Sequence, residues 1–282
     1  MHSSNFMQIL HRFSRHRLAV LCLILLLCMI LMAIFAPILT PYSPTKPAGK
    51  FSQPPSREHL LGTDKIGRDM LTRILYAMRV SLLVGILSTL ISTAVGVILG
   101  LLSGYFGGIC DKIIMAITDM IMSFPYILLV LVAAALFKPG MWSIILILGF
   151  VDWPGVCRLV RGNVLSLRET NFCKSDITAG MSSSYILFSE ILPNTIAPVL
   201  VYATSVFAIS MLDEAALSFL GMGVQPPTPS LGNLLNGAQS LSILTGKPWL
   251  WLPAGIVIVL LVMCINFVGD ALRDAFDPRN QS

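Results

Sequence analysis

Apolar runs separated by short polar stretches fill most of the chain. Leu18–Ala36, Val80–Phe106, Ile113–Phe137, Met141–Cys157, Thr195–Leu220 and Pro248–Leu272 all come near or exceed the ~20 residues that a helix needs to cross a bilayer. The pattern therefore predicts an all-α integral membrane protein with about six transmembrane helices. The first run follows Arg12, Arg15 and Arg17 and ends at Ala33-Ile34-Phe35-Ala36, so a secretory signal is the alternative. Its apolar core outruns the roughly 7–15 residues of a signal peptide, which favours an uncleaved span.

The polar stretches divide the chain into a cytoplasmic N-terminus (1–17), a first span (18–36), an extracytoplasmic segment (37–79), a core of five spans (80–272) and a cytoplasmic tail (273–282). The segment 37–79 opens with a proline-rich part that cannot be regular helix. After it, Asp64 is placed to cap an interfacial amphipathic helix. Met70, Leu71, Ile74, Leu75 and Met78 make its apolar face, and Arg68, Arg73 and Arg79 its polar side. The longest polar interruption of the second half is 168–194. There Ser182–Ser184 can cap a helix start, and Gly180 supplies a bend between two short helices. Tyr185, Phe188 and Leu192, with Leu187 and Ile191, fall on one predicted helical face before Pro193 punctuates the run. The stretch 221–247 is dense in Gly, Pro, Ser and Asn and reads as an extracytoplasmic loop with short helical turns.

Composition agrees: hydrophobic residues make up 55% of the chain, charged residues 12%, and the mean hydropathy is +0.81. The net charge of +5 is ordinary for such a protein and gives no reason to expect nucleic acid as a partner. Basic residues near the span ends, at the N-terminus and at Arg158 and Arg161, favour a cytoplasmic N-terminus. The 6 cysteines are scattered, without metal-ligand or disulfide spacing. No phosphate-binding loop, His-Glu-x-x-His or Gly-x-Ser-x-Gly string occurs, and His2, His11, His16 and His59 lie outside the spans. The chain is thus expected to be no enzyme and to bind no cofactor or metal. Ionisable groups inside spans cost about 2.5–3.5 kcal/mol, so Asp119, Asp152, Asp213 and Glu214 are candidates for a translocation path or for intramembrane structure. Asp213 and Glu214 could pair with Arg158 or Arg161, and Asp119 lies near enough to a span start to reach the interface.

Four stretches resemble one family. The string His59-Leu60-Leu61-Gly62-Thr63-Asp64, with Gly67-Arg68-Asp69 and a following Arg-x-Ser-Leu, closely resembles a signature of the C-type permease subunits of dipeptide, oligopeptide and nickel importers. The stretches 217–235 and 269–279 resemble the same branch, with Leu231 where a tryptophan is usual. The 168–194 stretch is similar to the cytoplasmic "EAA" loop of binding-protein-dependent ABC importers. Gly180 matches its glycine and Ile191-Leu192-Pro193-Asn194 its ending, whereas Lys174-Ser175-Asp176 replaces the triplet.

The resemblance implies a type I importer permease fold in a bacterial inner membrane. The chain would form half of a translocation pathway, beside a similar but distinct second permease subunit. Two ATP-binding subunits, carrying ATP and Mg, would dock at the loop through Phe172, Lys174, Ser175, Asp176, Gly180, Ile191, Leu192 and Pro193. A substrate-binding protein would deliver cargo outside. Peptides are the expected cargo, nickel or another metal chelate the alternative, and an ion-driven secondary transporter a more remote one.

Overall fold

The structure, a computed structural model, describes residues 16–276, apart from the side chain of residue 177. The basic positions Arg12, Arg15 and Arg279 therefore lie outside the described residues. Among those described, helices dominate and the sole strand-like feature is an isolated bridge between Thr63 and Asp69. The principal helices are α1 (Arg17–Ile34), α2 (Met70–Phe106), α3 (Gly108–Ser123), α4 (Tyr126–Leu136), α5 (Met141–Val151), α6 (Trp153–Arg168), α7 (Asn171–Thr178), α8 (Leu192–Phe219) and α9 (Leu252–Phe276). Among the described residues, five helical stretches are long and apolar enough to cross a membrane, and a sixth crossing results if α3 and α4 are taken as one span.

Helix α2 is the axis of the bundle. It packs most extensively on α6, and also on α5, α8 and α1. Its closeness to α6 comes from a stripe of glycines. Cβ atoms built on Gly96, Gly100 and Gly104 would lie 2.5, 2.7 and 2.7 Å from the Cβ atoms of Val156, Val160 and Val164. Small residues at a four-residue spacing let two helix backbones approach within van der Waals contact, which drives packing where lipid removes the hydrophobic incentive.

Three expectations for the segment 37–79 change. No separate interfacial helix forms, because the apolar face of Met70, Ile74, Leu75 and Met78 is buried against protein and continues without a break into the next span. At 37 residues, the resulting helix reaches roughly 55 Å, well beyond a bilayer's apolar core. Its cap is Asp69, whose Oδ2 accepts from Thr72 N and Thr72 Oγ1, both at 2.8 Å. Asp64 instead accepts from Ile66 N and Arg68 N, each at 2.9 Å, and pairs with Arg68 and with Arg73. Arg73 is consequently buried rather than on a polar face, its charge matched inside the fold.

The bundle has two ends. His16 and Asp274, at 3.9 Å, bring the start of α1 and the end of α9 together, while Pro193 and Arg273 line one cavity at the same end. Residues 40–69 and the 221–247 loop lie at the other end.

Candidate functional site

At the 40–69 end, the polar residues of the signature string all have intrachain work. Gly62 and Gly67 adopt φ of +73° and +86°, which an L side chain resists. Thr63 Oγ1 accepts from Gln53 N at 2.9 Å, and Asp69 Oδ1 holds the buried His59 Nδ1 at 2.9 Å. Burial pushes the Asp64 carboxyl up, but hydrogen bonds from Arg68 and the Arg73 charge outweigh it and hold the pKa below its usual value. The string thus builds a folded cover on the start of α2. The sequence alone offered no physical reason for it, because its contacts reach back to residues 50 and 53 and forward to 73.

The four intramembrane acids separate into three situations. Glu214 is fully buried and accepts from Ser81 Oγ at 2.6 Å and Ser218 Oγ at 2.7 Å. Those hydroxyls in turn accept from Leu231 N and Val224 N. One carboxyl therefore ties α2, α8 and the 221–235 loop together. Asp119, largely exposed in the chain, pairs with Arg158. Neither Asp213 nor Glu214 meets Arg158 or Arg161, because both arginines are already engaged by α3: Arg158 by Asp119, and Arg161 by Asp111 through a two-pronged contact of 2.6 and 2.7 Å.

Asp152 and Asp213 sit elsewhere. The run Ile113–Phe137 is not a straight helix. It breaks at Phe124-Pro125 with a 92° bend between α3 and α4. The run through Asp152 is interrupted for a single residue between α5 and α6. Asp152 keeps helical backbone angles and donates its N–H to Leu148 O at 3.0 Å, so Met141–Arg168 continues as one 28-residue stretch. Pro154 lies in the first turn after the interruption, where a missing N–H costs little. The bend and the Asp152 irregularity both face one cleft of about 360 Å³, lined by Tyr126, Asp152, Gly155 and Tyr202 among apolar side chains. Tyr126 Oη donates to Asp213 Oδ2 at 2.6 Å, and Ser210 Oγ reaches Asp152 Oδ2 at 3.4 Å. A Cβ on Gly155 would lie 2.2 Å from Tyr202 Oη, so glycine makes the room for that phenol. Tyr202 also lines a larger cavity of about 890 Å³ toward the Arg273 end. Asp111 and Tyr126 escaped sequence reasoning because their partners lie tens of residues away.

The elbow at 168–194 contains α7, a turn at Gly180 (φ +76°), and a helix start capped by Ser182 Oγ accepting from Tyr185 N at 3.3 Å. The following turns are π-helical from Ile186 to Ile191, so Ile186 and Ile191, five apart, share the buried side with Leu187. Tyr185 and Phe188, expected on that face at ordinary helical spacing, are exposed. Pro193 does not interrupt the chain; it occupies the first turn of α8, which continues the elbow directly into a span. On α7, Phe172 is exposed while Cys173 beside it is buried. Lys174 pairs at 2.9 Å with Glu169, the lysine's charge holding that exposed carboxyl below its usual pKa. Ser175 and Asp176 complete the polar side of α7.

Comparison with known proteins places this geometry. Residues 96–282 match the family described as binding-protein-dependent transport system inner membrane component, and residues 4–55 match the N-terminal TM domain of oligopeptide transport permease C. The dipeptide transport system permease protein DppC of Alkalihalophilus pseudofirmus is 40% identical over 270 residues, 95% of this chain and 88% of that one. A putative peptide permease protein of Brucella suis is 40% identical over 95% of this chain and 89% of its own. Among solved structures, an inward-facing MetNI methionine ABC transporter matches 74% of this chain and 98% of its own, with TM-score 0.60 and 18% identity. An amino acid ABC transporter matches 72% and 94%, with TM-score 0.55 and 12% identity. At such identities these two likenesses establish the fold.

Proposed function

Because the chain belongs to the family of binding-protein-dependent transport system inner membrane components, and is an integral inner-membrane permease of the dipeptide and oligopeptide branch, we propose that it forms half of a peptide-import pathway worked by separate ATPase subunits. The second half would come from a similar permease chain, and an extracytoplasmic binding protein would deliver the peptide. ATP and Mg would bind on the partner ATPases and not on this chain. Relatives named as dipeptide and peptide permeases support peptide cargo.

One observation carries the coupling part of this reading: the elbow is an exposed helix followed by a turn at Gly180 and a capped π-helical stretch that runs without a break into a span. Helix α7 presents Phe172, Lys174, Ser175 and Asp176, Gly180 turns the chain, and Ile191-Leu192-Pro193 passes directly into α8. A push on α7 is transmitted because Cys173, Ile186, Leu187 and Ile191 are packed in one apolar cluster with Val160 and Val164 of α6. Helix α8 carries Asp213 and Tyr202 to the cleft, so displacement of the elbow moves the cleft wall. The bound state of the ATPases would thereby bias which end of the pathway is open.

The test is purification of the chain from its native membrane in mild detergent, with identification of what accompanies it. Recovery of a second permease and ATPase subunits supports the proposal. A chain recovered alone, folded and stable would contradict it.

A further inference from the structure

Several polar features were candidates for a further role. Those at the 40–69 end are consumed by the fold, as is the Glu214 network. The cleft at the α3–α4 bend is different, because its carboxylates have no ion-pair partner among the described residues.

Three observations converge there. First, the 92° bend after Ser123 breaks one span at the cleft, and the one-residue irregularity at Asp152 in the neighbouring helix faces the same space. Non-helical backbone at membrane depth leaves peptide groups unpaired, and is tolerated where it lines a water-filled cavity or is buried in protein. Discontinuous helices such as the α3–α4 span are a recurrent setting of substrate sites in membrane transporters. Second, Asp152 lines this cleft and Asp213 backs it through the Tyr126 hydroxyl at 2.6 Å. Neither carboxylate has an ion-pair partner among the described residues, whereas Asp64, Asp111 and Asp119 each have an arginine. Among the described residues, no Lys or Arg lines the cleft. Third, the remaining lining is apolar with two phenols, Tyr126 and Tyr202, whose ring faces attract cations. Tyr202 lines both this cleft and the larger cavity toward Arg273.

We infer that this cleft is a transit site for positively charged groups: Asp152 and Asp213, with the Tyr126 and Tyr202 rings, take up the ammonium or side-chain cation of a passing peptide. The inference rests on the peptide-import reading and adds a charge preference to it. Cationic peptides cross faster than anionic ones of equal size, because an unpaired carboxylate in a site of low polarity offers a countercharge to the former and repels the latter. Asp119 and Glu214 take no part, the first being paired and the second enclosed in its hydroxyl network.

The test uses the complete transporter, reconstituted in vesicles with its partner subunits and a saturating concentration of its peptide-loaded binding protein, so that delivery does not limit the rate. Uptake is compared for alanyl-lysine, alanyl-alanine and alanyl-glutamate, after checking that the binding protein holds all three. The wild type is expected to favour alanyl-lysine over alanyl-glutamate. Asp152→Asn should lower that ratio by about fivefold, the factor that ~1 kcal/mol carries. Asp152→Glu, which keeps the charge, should restore most of the ratio, and Asp119→Asn should leave it unchanged. Asp213→Asn provides a second reading should Asp152→Asn fail to assemble. A wild type with no charge preference, or a preference untouched by both neutral variants in assembled transporter, overturns the transit site while leaving peptide import standing. A wild type that moves none of the three peptides overturns the import reading and the transit site with it.

Discussion

Ser81 Oγ lies 2.6 Å from Glu214 Oε2 and joins two helices whose positions in the sequence are 133 residues apart. The same hydroxyl accepts from Leu231 N, so the carboxyl, the serine and the loop backbone form one chain of hydrogen bonds. Of the two roles open to this intramembrane acid, translocation path or intramembrane structure, its contacts fit the second: it fastens the loop covering one end of the bundle.

Replacing Glu214 with Ala should therefore loosen that loop. The substitution leaves the hydroxyls of Ser81 and Ser218 without their carboxyl acceptor, and an unsatisfied buried polar group costs about 1–3 kcal/mol. The expected outcome is faster proteolysis within 221–247 and a lower unfolding temperature in detergent. Glu214→Gln, which keeps one acceptor oxygen, should lie between the two. Unchanged protection in Glu214→Ala would show that the loop is held by other contacts.

The α2–α6 seam should be intolerant of side chains at Gly100. A Cβ there would fall 2.7 Å from both the Cys157 carbonyl oxygen and Val160 Cβ. Backbone cannot swing aside, and overpacking typically costs about 1–3 kcal/mol. Gly100→Val should lower the yield of folded protein more than Gly162→Val, because nothing lies within 4 Å of a Cβ on Gly162. The yield of monodisperse protein by size-exclusion chromatography reads the difference.

At the elbow, Gly180→Val meets no neighbour, since no atom lies within 4 Å of its Cβ. The cost is conformational alone, because φ of +76° opposes a branched side chain by about 1–2 kcal/mol. Membrane insertion should be intact while transport falls relative to ATP hydrolysis. Unimpaired transport in this variant would mean that the turn does not couple the two.

The cover over the start of α2 should weaken in acid. The folded-state pKa of Asp64 is depressed below the ordinary 3.8, so its contribution is fully present above that value. It is lost as pH falls through the depressed folded value. Asp64→Asn should show the weakening already at neutral pH. Proteolysis of the 40–69 segment by an acid-stable protease, followed from pH 6 downward, measures both.

The spans were legible because runs of apolar residues report membrane crossing directly, and the elbow because Gly180 and Ser182 carry local backbone signals. Irregularities within spans were harder to place: Pro125 and Pro154 were visible, but their convergence on one cleft depends on how α3–α6 fold against each other. The partners of Arg158 and Arg161 were misassigned for the same reason, since α3 offers Asp111 and Asp119 to the same face of α6. The glycine stripe at 96, 100 and 104 was a readable signal, its four-residue spacing being the mark of close helix approach. The π-helical turns at 186–191 shifted a face that ordinary helical spacing had assigned to Tyr185 and Phe188.

The most direct test of the account is uptake of a labelled dipeptide by vesicles containing the purified transporter, with the binding protein outside and ATP enclosed. Uptake that requires both ATP and the binding protein, and that persists when ion gradients are collapsed, is the predicted result. Uptake by this chain alone, driven by a proton or sodium gradient without ATP, would contradict it.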